Sequence, residues 1–126
     1  MLTPEQAKLF ADEWIKAWNA HDLDAILEHY AEDVEFTSPV VVQLLNDPSG
    51  TLRGKEALCT YFHKGLETFF DLRFGLLWVL TGVNSVTLLY RSLGRSRHNL
   101  LAAETMQLNE EGRAMRVLVQ YAESEG

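Results

Sequence analysis

The spacing of apolar residues changes from a helical period to a strand period near residue 71. Before that point, apolar side chains recur every three or four residues; after it, they alternate with polar side chains along short runs. The first spacing is typical of amphipathic helices and the second of strands with one buried face. Helices followed by strands limit the fold to the α+β class, in which helices cover one side of a mainly antiparallel sheet.

The second part of the chain predicts four strands, at Leu72–Leu80, Ser85–Leu93, Asn99–Leu108 and Arg113–Ala122. The segments between them are turn-rich and of hairpin length: Thr81-Gly82-Val83-Asn84, Gly94-Arg95-Ser96-Arg97 and Asn109-Glu110-Glu111-Gly112. Short turns of this kind join antiparallel neighbours, so the four strands should form a meander.

The first part predicts three helices and one strand. Thr3-Pro4-Glu5-Gln6 is a helix start, with Thr as N-cap, Pro in the first turn and Gln three residues after the cap. A second, shorter helix carries a buried stripe from Leu23 to Tyr30, and a strand follows from Val34 to Ser38. The third helix runs from Lys55 to about Phe69. The predicted order is therefore α-α-β-α-β-β-β-β, while the apolar run 40–45 either extends the first strand or forms a flap.

Composition and charge exclude several classes of partner. A chain of 126 residues fits one domain, spanning residues 1–126. Its formal net charge of −7 argues against binding nucleic acid, which requires a basic surface. No apolar run approaches the ~20 residues that cross a bilayer, and the polar, acidic start MLTPEQAKLFADE does not resemble a signal peptide. With Cys59 as its single cysteine, the chain is expected to be cytoplasmic, with no membrane partner.

Three segments together carry a family resemblance: WNAHDLDAILEHYAEDVEFTSP, LRGKEALCTYF and MQLNEEGRAMRVLVQYAE. With the order of elements, they resemble the nuclear transport factor 2-like superfamily, and in particular its SnoaL-like branch of polyketide cyclases and ketosteroid isomerase. The resemblance implies a cone-shaped, curved sheet wrapped on three N-terminal helices, a blind apolar pocket between them, and a homodimer formed through the sheets. Because this scaffold hosts isomerases, cyclases, dehydratases and noncatalytic binders, it predicts the fold better than the function.

The ketosteroid isomerase template makes the resemblance specific. In that enzyme a Tyr and an Asp donate hydrogen bonds to the substrate oxyanion, and a second Asp moves the proton. By the resemblance, these positions fall on Trp14, Leu101 and Ser38, respectively. Leucine donates no hydrogen bond and serine is a poor base at neutral pH. The ketosteroid isomerase mechanism is therefore not expected.

Two acidic residues are candidates for acid–base chemistry. Glu104 lies in the mostly apolar segment Leu100–Met106, either as a pocket acid or as a paired carboxylate. Simple alternation places it on the opposite side of its strand from Leu101, away from the pocket if Leu101 faces inward, unless a bulge intervenes. Arg91 on the neighbouring strand could pair with it. Asp33, at the close of the second helix, is either a pocket acid or a local capping residue.

Polar-tipped rings and one hydroxyl form the predicted ligand pocket. Individually such rings are often simple core residues, but buried Trp and Tyr side chains need partners for their N–H and O–H groups and can orient a ligand. The predicted pocket residues are Trp14, Trp18, Tyr30, Phe36, Ser38, Phe62, Trp78, Tyr90 and Tyr121. The four histidines show no metal-binding spacing, and no nucleotide motif is present, so neither a metal nor another cofactor is predicted.

Three functions remain open at this point. The chain could bind a small, mostly apolar organic ligand without catalysis, act on such a molecule by acid–base chemistry through Glu104 or Asp33, or serve as a dimerisation module. An inward carboxylate with a raised pKa would favour the enzyme, whereas a pocket with only Ser and Tyr hydroxyls would favour the binder.

Overall fold

The computed structural model describes residues 1–94 and 100–122, and these contain four helices and six strands. In chain order the elements are α1 (Pro4–Asn19), α2 (Leu23–Leu27), β1 (Tyr30–Thr37), α3 (Pro39–Leu45), β2 (Thr51–Arg53), α4 (Lys55–Thr68), β3 (Arg73–Thr81), β4 (Ser85–Leu93), β5 (Leu100–Leu108) and β6 (Ala114–Tyr121). The predicted α+β class is confirmed. Apart from Gly94, the predicted turn over 94–97 lies outside the described residues, as does Asn99. None of the described helices is both long enough and apolar enough to cross a bilayer.

The six described strands form one sheet in the order β2-β1-β6-β5-β4-β3. Strands β3 to β6 are antiparallel neighbours and form the predicted meander, and β1 lies parallel to β6. Helices α1 and α4 contact the sheet through β3 and β1, respectively. The hydrophobic core therefore lies between the helices and one face of the sheet, hereafter the inner face.

Local signals at the start of α1 act as the sequence predicted. The Thr3 hydroxyl accepts a hydrogen bond from the Gln6 backbone N–H, and the Gln6 side chain accepts one from the Thr3 backbone N–H.

At the other end of α1, the Asn19 side chain binds both backbone groups of Phe74, accepting from its N–H at 2.7 Å and donating to its carbonyl at 3.0 Å. This pair of bonds joins α1 to β3 and sets the position of Phe74.

The segment after β1 differs from both sequence expectations. Pro39–Leu45 forms the short helix α3 rather than an extension of the strand or an irregular flap. Ser38 is its N-cap, with Oγ accepting from the Val40 N–H at 3.2 Å, and Pro39 occupies the first turn. A Ser followed by Pro is a helix-start signal of the kind found at Thr3-Pro4, so the sequence contained this information. Tyr30 begins β1 instead of ending the second helix.

Candidate functional site

A cavity opens between α4 and the inner face of the sheet. The cavity volume is about 60 Å³, and the atom-free space is about 520 Å³ when the open solvent at the mouth is included. Eight residues singled out in the sequence line it: Trp14, Trp18, Phe36, Ser38, Phe62, Tyr90, Glu104 and Tyr121. Seven others complete the wall: Val40, Tyr61, Gly65, Phe69, Leu72, Phe74 and Val119.

Glu104 lies on the inner face of the sheet, in the cavity wall. Alternation along β5 turns Ala102, Glu104 and Met106 inward, and Glu104 is only 4% exposed. Leu101 lies on the other face, opposite Arg91 of β4. The predicted pairing of Glu104 with Arg91 is therefore wrong, because the two side chains leave the sheet on opposite sides. The strand needs no bulge near Glu104 to bring the carboxylate inward.

The hydroxyl of Tyr90 holds the Glu104 carboxylate. It donates a hydrogen bond to Glu104 Oε1 over 2.9 Å, and both side chains are buried. Burial raises the pKa of Glu104 from 4.5 to about 7, although the Tyr90 hydrogen bond acts in the opposite direction. Burial and the nearby Glu104 also raise the pKa of Tyr90 well above its usual value. Near neutral pH, Glu104 can therefore both accept and release a proton.

A second polar pair lies beside the first. Trp14 donates its indole N–H to the Tyr30 hydroxyl over 3.0 Å, and its ring stacks on Phe74 with centroids 5.5 Å apart. Burial and then the charge of Glu104 raise the pKa of Tyr30 well above the usual tyrosine value, while the indole groups of Trp14 and Trp18 lower it. Tyr30 is not among the residues that line the cavity; it contacts Trp14 and Phe62, which are. Trp14 is thus both cavity wall and core.

Trp18 lies on the same side of the cavity. Its buried indole N–H makes no hydrogen bond to any described group. The Trp18 N–H lies close enough to the Tyr30 hydroxyl to lower the pKa of Tyr30. The two groups do not, however, have the geometry of a hydrogen bond. An unpaired buried donor is uncommon in proteins, which makes this side of the cavity a place where an acceptor would be favourable.

Comparison with known proteins assigns this chain to a family. The family model for the SnoaL-like domain matches residues 11–121. The chain belongs to the SnoaL-like domain family. A SnoaL-like protein of unknown function from Burkholderia thailandensis is 43% identical, with 96% of this chain and 98% of that chain covered and a TM-score of 0.89. The search of curated proteins found no match.

More distant solved structures share the fold of this SnoaL-like domain. A nuclear transport factor 2-like protein of unknown function from Cytophaga hutchinsonii is 17% identical, covering 97% of this chain and 92% of that one, with a TM-score of 0.70. SalBIII, an epoxide hydrolase/cyclase-like enzyme of pyran ring formation in salinomycin, is 20% identical, covering 98% and 95%, with a TM-score of 0.75.

Three of the sequence-predicted site residues do not line the cavity of this SnoaL-like domain: Tyr30, which contacts wall residues from behind, and Trp78 and Asp33, which are exposed. Trp78 is 70% exposed. A bulge between Leu76 and Trp78 inserts Leu77, so that Trp78 pairs with the outward Leu89 instead of the inward Leu88. Asp33 is exposed in β1, within the stretch where the register between β1 and β6 shifts. The predictions of Asp33 as a pocket acid and of Trp78 as a pocket ring are therefore both wrong.

The structure also refines the ketosteroid isomerase template. Leu101, the position matched to the donor Asp of the template, faces away from the cavity; its inward neighbours are Ala102 and Glu104. Ser38 lines the cavity, but its Oγ caps α3. Trp14 uses its only N–H on Tyr30. The absence of the ketosteroid isomerase mechanism stays a prediction.

Sequence reasoning did not assign Phe74, Tyr61, Gly65 or Phe69 to the cavity. Tyr61 and Phe69 were recognisable from their spacing as inner residues of the predicted third helix, and in the structure Phe69 is the C-cap of α4. The inward orientation of Phe74 is consistent with the alternation of β3, since Phe74 pairs with the inward Ser92. Gly65 carried no sequence signal of a role in the wall.

The wall is chemically simple. Among the described lining residues, Glu104 is the one carboxylate, and Lys, Arg and His are absent. Across residues 1–94 and 100–122, no three His, Cys, Asp or Glu side chains converge as metal ligands would. The cavity as described therefore offers one proton-transfer group, several hydroxyls and a largely aromatic surface.

Proposed function

We propose that this SnoaL-like domain is an acid–base enzyme that acts on a small, mostly apolar organic molecule in the cavity. Glu104 is the proposed proton-transfer residue, and Tyr90 holds it in position. The observation that carries the proposal is the one carboxylate among the described residues of the aromatic wall, hydrogen-bonded at 2.9 Å by Tyr90. A carboxyl group with a pKa of about 7 suits proton transfer at neutral pH.

Charge further limits the substrate. A carboxylate or phosphate on the ligand would be desolvated next to Glu104, with no Lys, Arg or His among the described lining residues to compensate. We therefore expect an uncharged substrate. Its polar group would lie near Glu104 and Tyr90, and its apolar part would contact the rings.

The second candidate is a binder without catalysis. It is favoured by the Trp14 indole N–H, which is already donated to the Tyr30 hydroxyl. That N–H is therefore not available to stabilise a developing oxyanion, which is often a large contribution to catalysis. The two candidates make different predictions for turnover.

The decisive experiment measures proton exchange. A panel of uncharged ketones, enones and aldehydes is incubated in D₂O with the protein, and deuterium incorporation beside the carbonyl group is followed by NMR. At least one compound should exchange faster with the wild type, and Glu104→Gln should reduce that catalysis by about 10²–10⁴-fold. Glu110→Gln, in the exposed β5–β6 turn, is the matched control and should leave the rate unchanged.

Two outcomes would contradict the enzyme. Exchange that is equal in the wild type and Glu104→Gln would remove Glu104 from the chemistry. Binding of panel compounds with no catalysed exchange would favour the noncatalytic binder.

We also propose that the protein forms a homodimer through the outer face of the sheet. That face carries exposed apolar side chains, among them Trp78, Leu80 and Leu118. Apolar surface of this kind is unfavourable in water and is commonly covered by a partner.

A further inference from the structure

Helix α4 carries a gap in an otherwise aromatic wall. Tyr61, Phe62 and Phe69 face the cavity, and Gly65 lies between them, four residues after Tyr61 and four before Phe69. Residues four apart share one face of a helix, so a side chain at position 65 would also project into the cavity. The glycine leaves that part of the wall without a side chain.

Neither packing nor backbone geometry requires this glycine. A Cβ atom built at Gly65 would have no heavy atom within 4 Å, and Gly65 is not among the glycines with positive φ. Glycine is, after proline, the least favourable residue inside a helix, and alanine the most favourable. Gly65 therefore weakens α4 without relieving any contact in the protein itself.

The position of Gly65 suggests what the gap is for. Gly65 is on the helix wall of the cavity, whereas Glu104 is on the sheet wall. Gly65 and Phe69 are both partly exposed, which places them toward the mouth. A molecule whose polar group contacts Glu104 can extend its other end across the cavity to α4, where Gly65 leaves open space in the wall.

We infer that Gly65 determines ligand specificity by leaving a slot for the uncharged hydrocarbon end of a ligand whose polar group contacts Glu104. The inference rests on the proposed function, since it assumes that the cavity binds an organic molecule. It adds a shape to the ligand: a polar head followed by a bulky apolar group, directed from the sheet wall to α4.

The test uses two alcohols with the same head, cyclohexanol and 4-tert-butylcyclohexanol, and measures their affinities by calorimetry. Gly65→Leu should weaken binding of the longer alcohol by about tenfold or more, because its butyl group competes with the leucine for the slot. Binding of cyclohexanol should change by less than about threefold, since it does not reach that far. Thr60→Leu, on the exposed side of the same helix, is the control and should alter neither affinity.

Gly65→Ala provides a second, milder variant in case the leucine disturbs folding. It should raise the melting temperature by about 3–5 °C, through better helix propensity alone. It should also weaken binding of 4-tert-butylcyclohexanol by about threefold. A more stable protein that binds the longer alcohol less well is the combined result expected here.

The outcomes separate this inference from the proposed function. If the wild type binds neither alcohol, both the ligand-binding cavity and the slot are overturned. If the wild type binds both alcohols and the Gly65 variants bind the longer one equally well, only the role of Gly65 is overturned. A fall in melting temperature for Gly65→Ala would also contradict it, because the glycine would then have a structural purpose.

Discussion

Glu104 couples the stability of the protein to pH. Its pKa is about 7 in the folded protein against 4.5 as the ordinary value, so the folded state binds this proton more tightly than the unfolded chain does. The contribution of Glu104 to the free energy of unfolding is therefore fully present below pH 4.5 and is lost as pH rises to about 7. Above that range, folding keeps a buried carboxylate at a cost on the order of 3 kcal/mol.

Glu104→Gln should remove this dependence. Compared with the wild type, the variant should gain stability as pH rises from 5 to 8, by about 2–4 kcal/mol, because the amide is neutral throughout. Urea unfolding of both proteins at several pH values measures the difference, and other titrating groups cancel in it. Glu110→Gln should follow the wild-type curve. Parallel curves for the wild type and Glu104→Gln would mean that Glu104 titrates near its ordinary pKa.

Helix α3 depends on a single cap at the edge of the cavity. The Ser38 hydroxyl accepts the Val40 N–H, while the Ser38 backbone N–H donates to the Gly50 carbonyl at 2.9 Å. Ser38→Ala removes only the first of these bonds and should lower the free energy of unfolding by about 0.5–2 kcal/mol. Hydrogen exchange over residues 39–45 should accelerate, because a helix of 7 residues has little stability of its own.

Gln43→Ala is the matched control, since Gln43 is exposed on the same helix. It should change the free energy of unfolding by less than about 0.5 kcal/mol. Unchanged exchange over α3 in Ser38→Ala would show that tertiary contacts of Val40 and Val41, both buried, hold the helix without its cap.

The protein should be a dimer in solution at micromolar concentration. Sedimentation should give about twice the chain mass of 14.3 kDa. Trp78→Glu combined with Leu118→Glu should yield folded monomers, because each places a charge on the apolar outer face. Val83→Glu makes the same type of change at an exposed position in the β3–β4 turn and should leave the dimer intact. A wild-type protein that sediments at the chain mass throughout would contradict the proposal.

Much of the fold could be predicted from local sequence signals. The Thr3 cap, the helical spacing in α4 and the turn at Asn109–Gly112 act through neighbouring residues, and the ends of the four meander strands β3 to β6 lie within one residue of the predicted ones. The helix α3 was missed although its Ser38-Pro39 start is equally local. The position of Tyr30, in a strand rather than a helix, depends instead on pairing with Ala114 far along the chain.

The period of a strand shows which residues share a face, but not which face is buried. The alternation of β5 grouped Glu104 with Ala102 and Met106 from the outset, while packing of the helices on that side decided that Glu104 lies in the cavity. The bulge at Leu77 turned Trp78 outward, because strand pairing with β4 sets the register and a single inserted residue reverses every side chain beyond it. Local signals in the sequence by themselves thus determined most of the elements and their order. The depth of Glu104 and its raised pKa arise only when distant elements exclude water from a shared cavity, and the slot at Gly65 exists only because α4 packs beside that cavity.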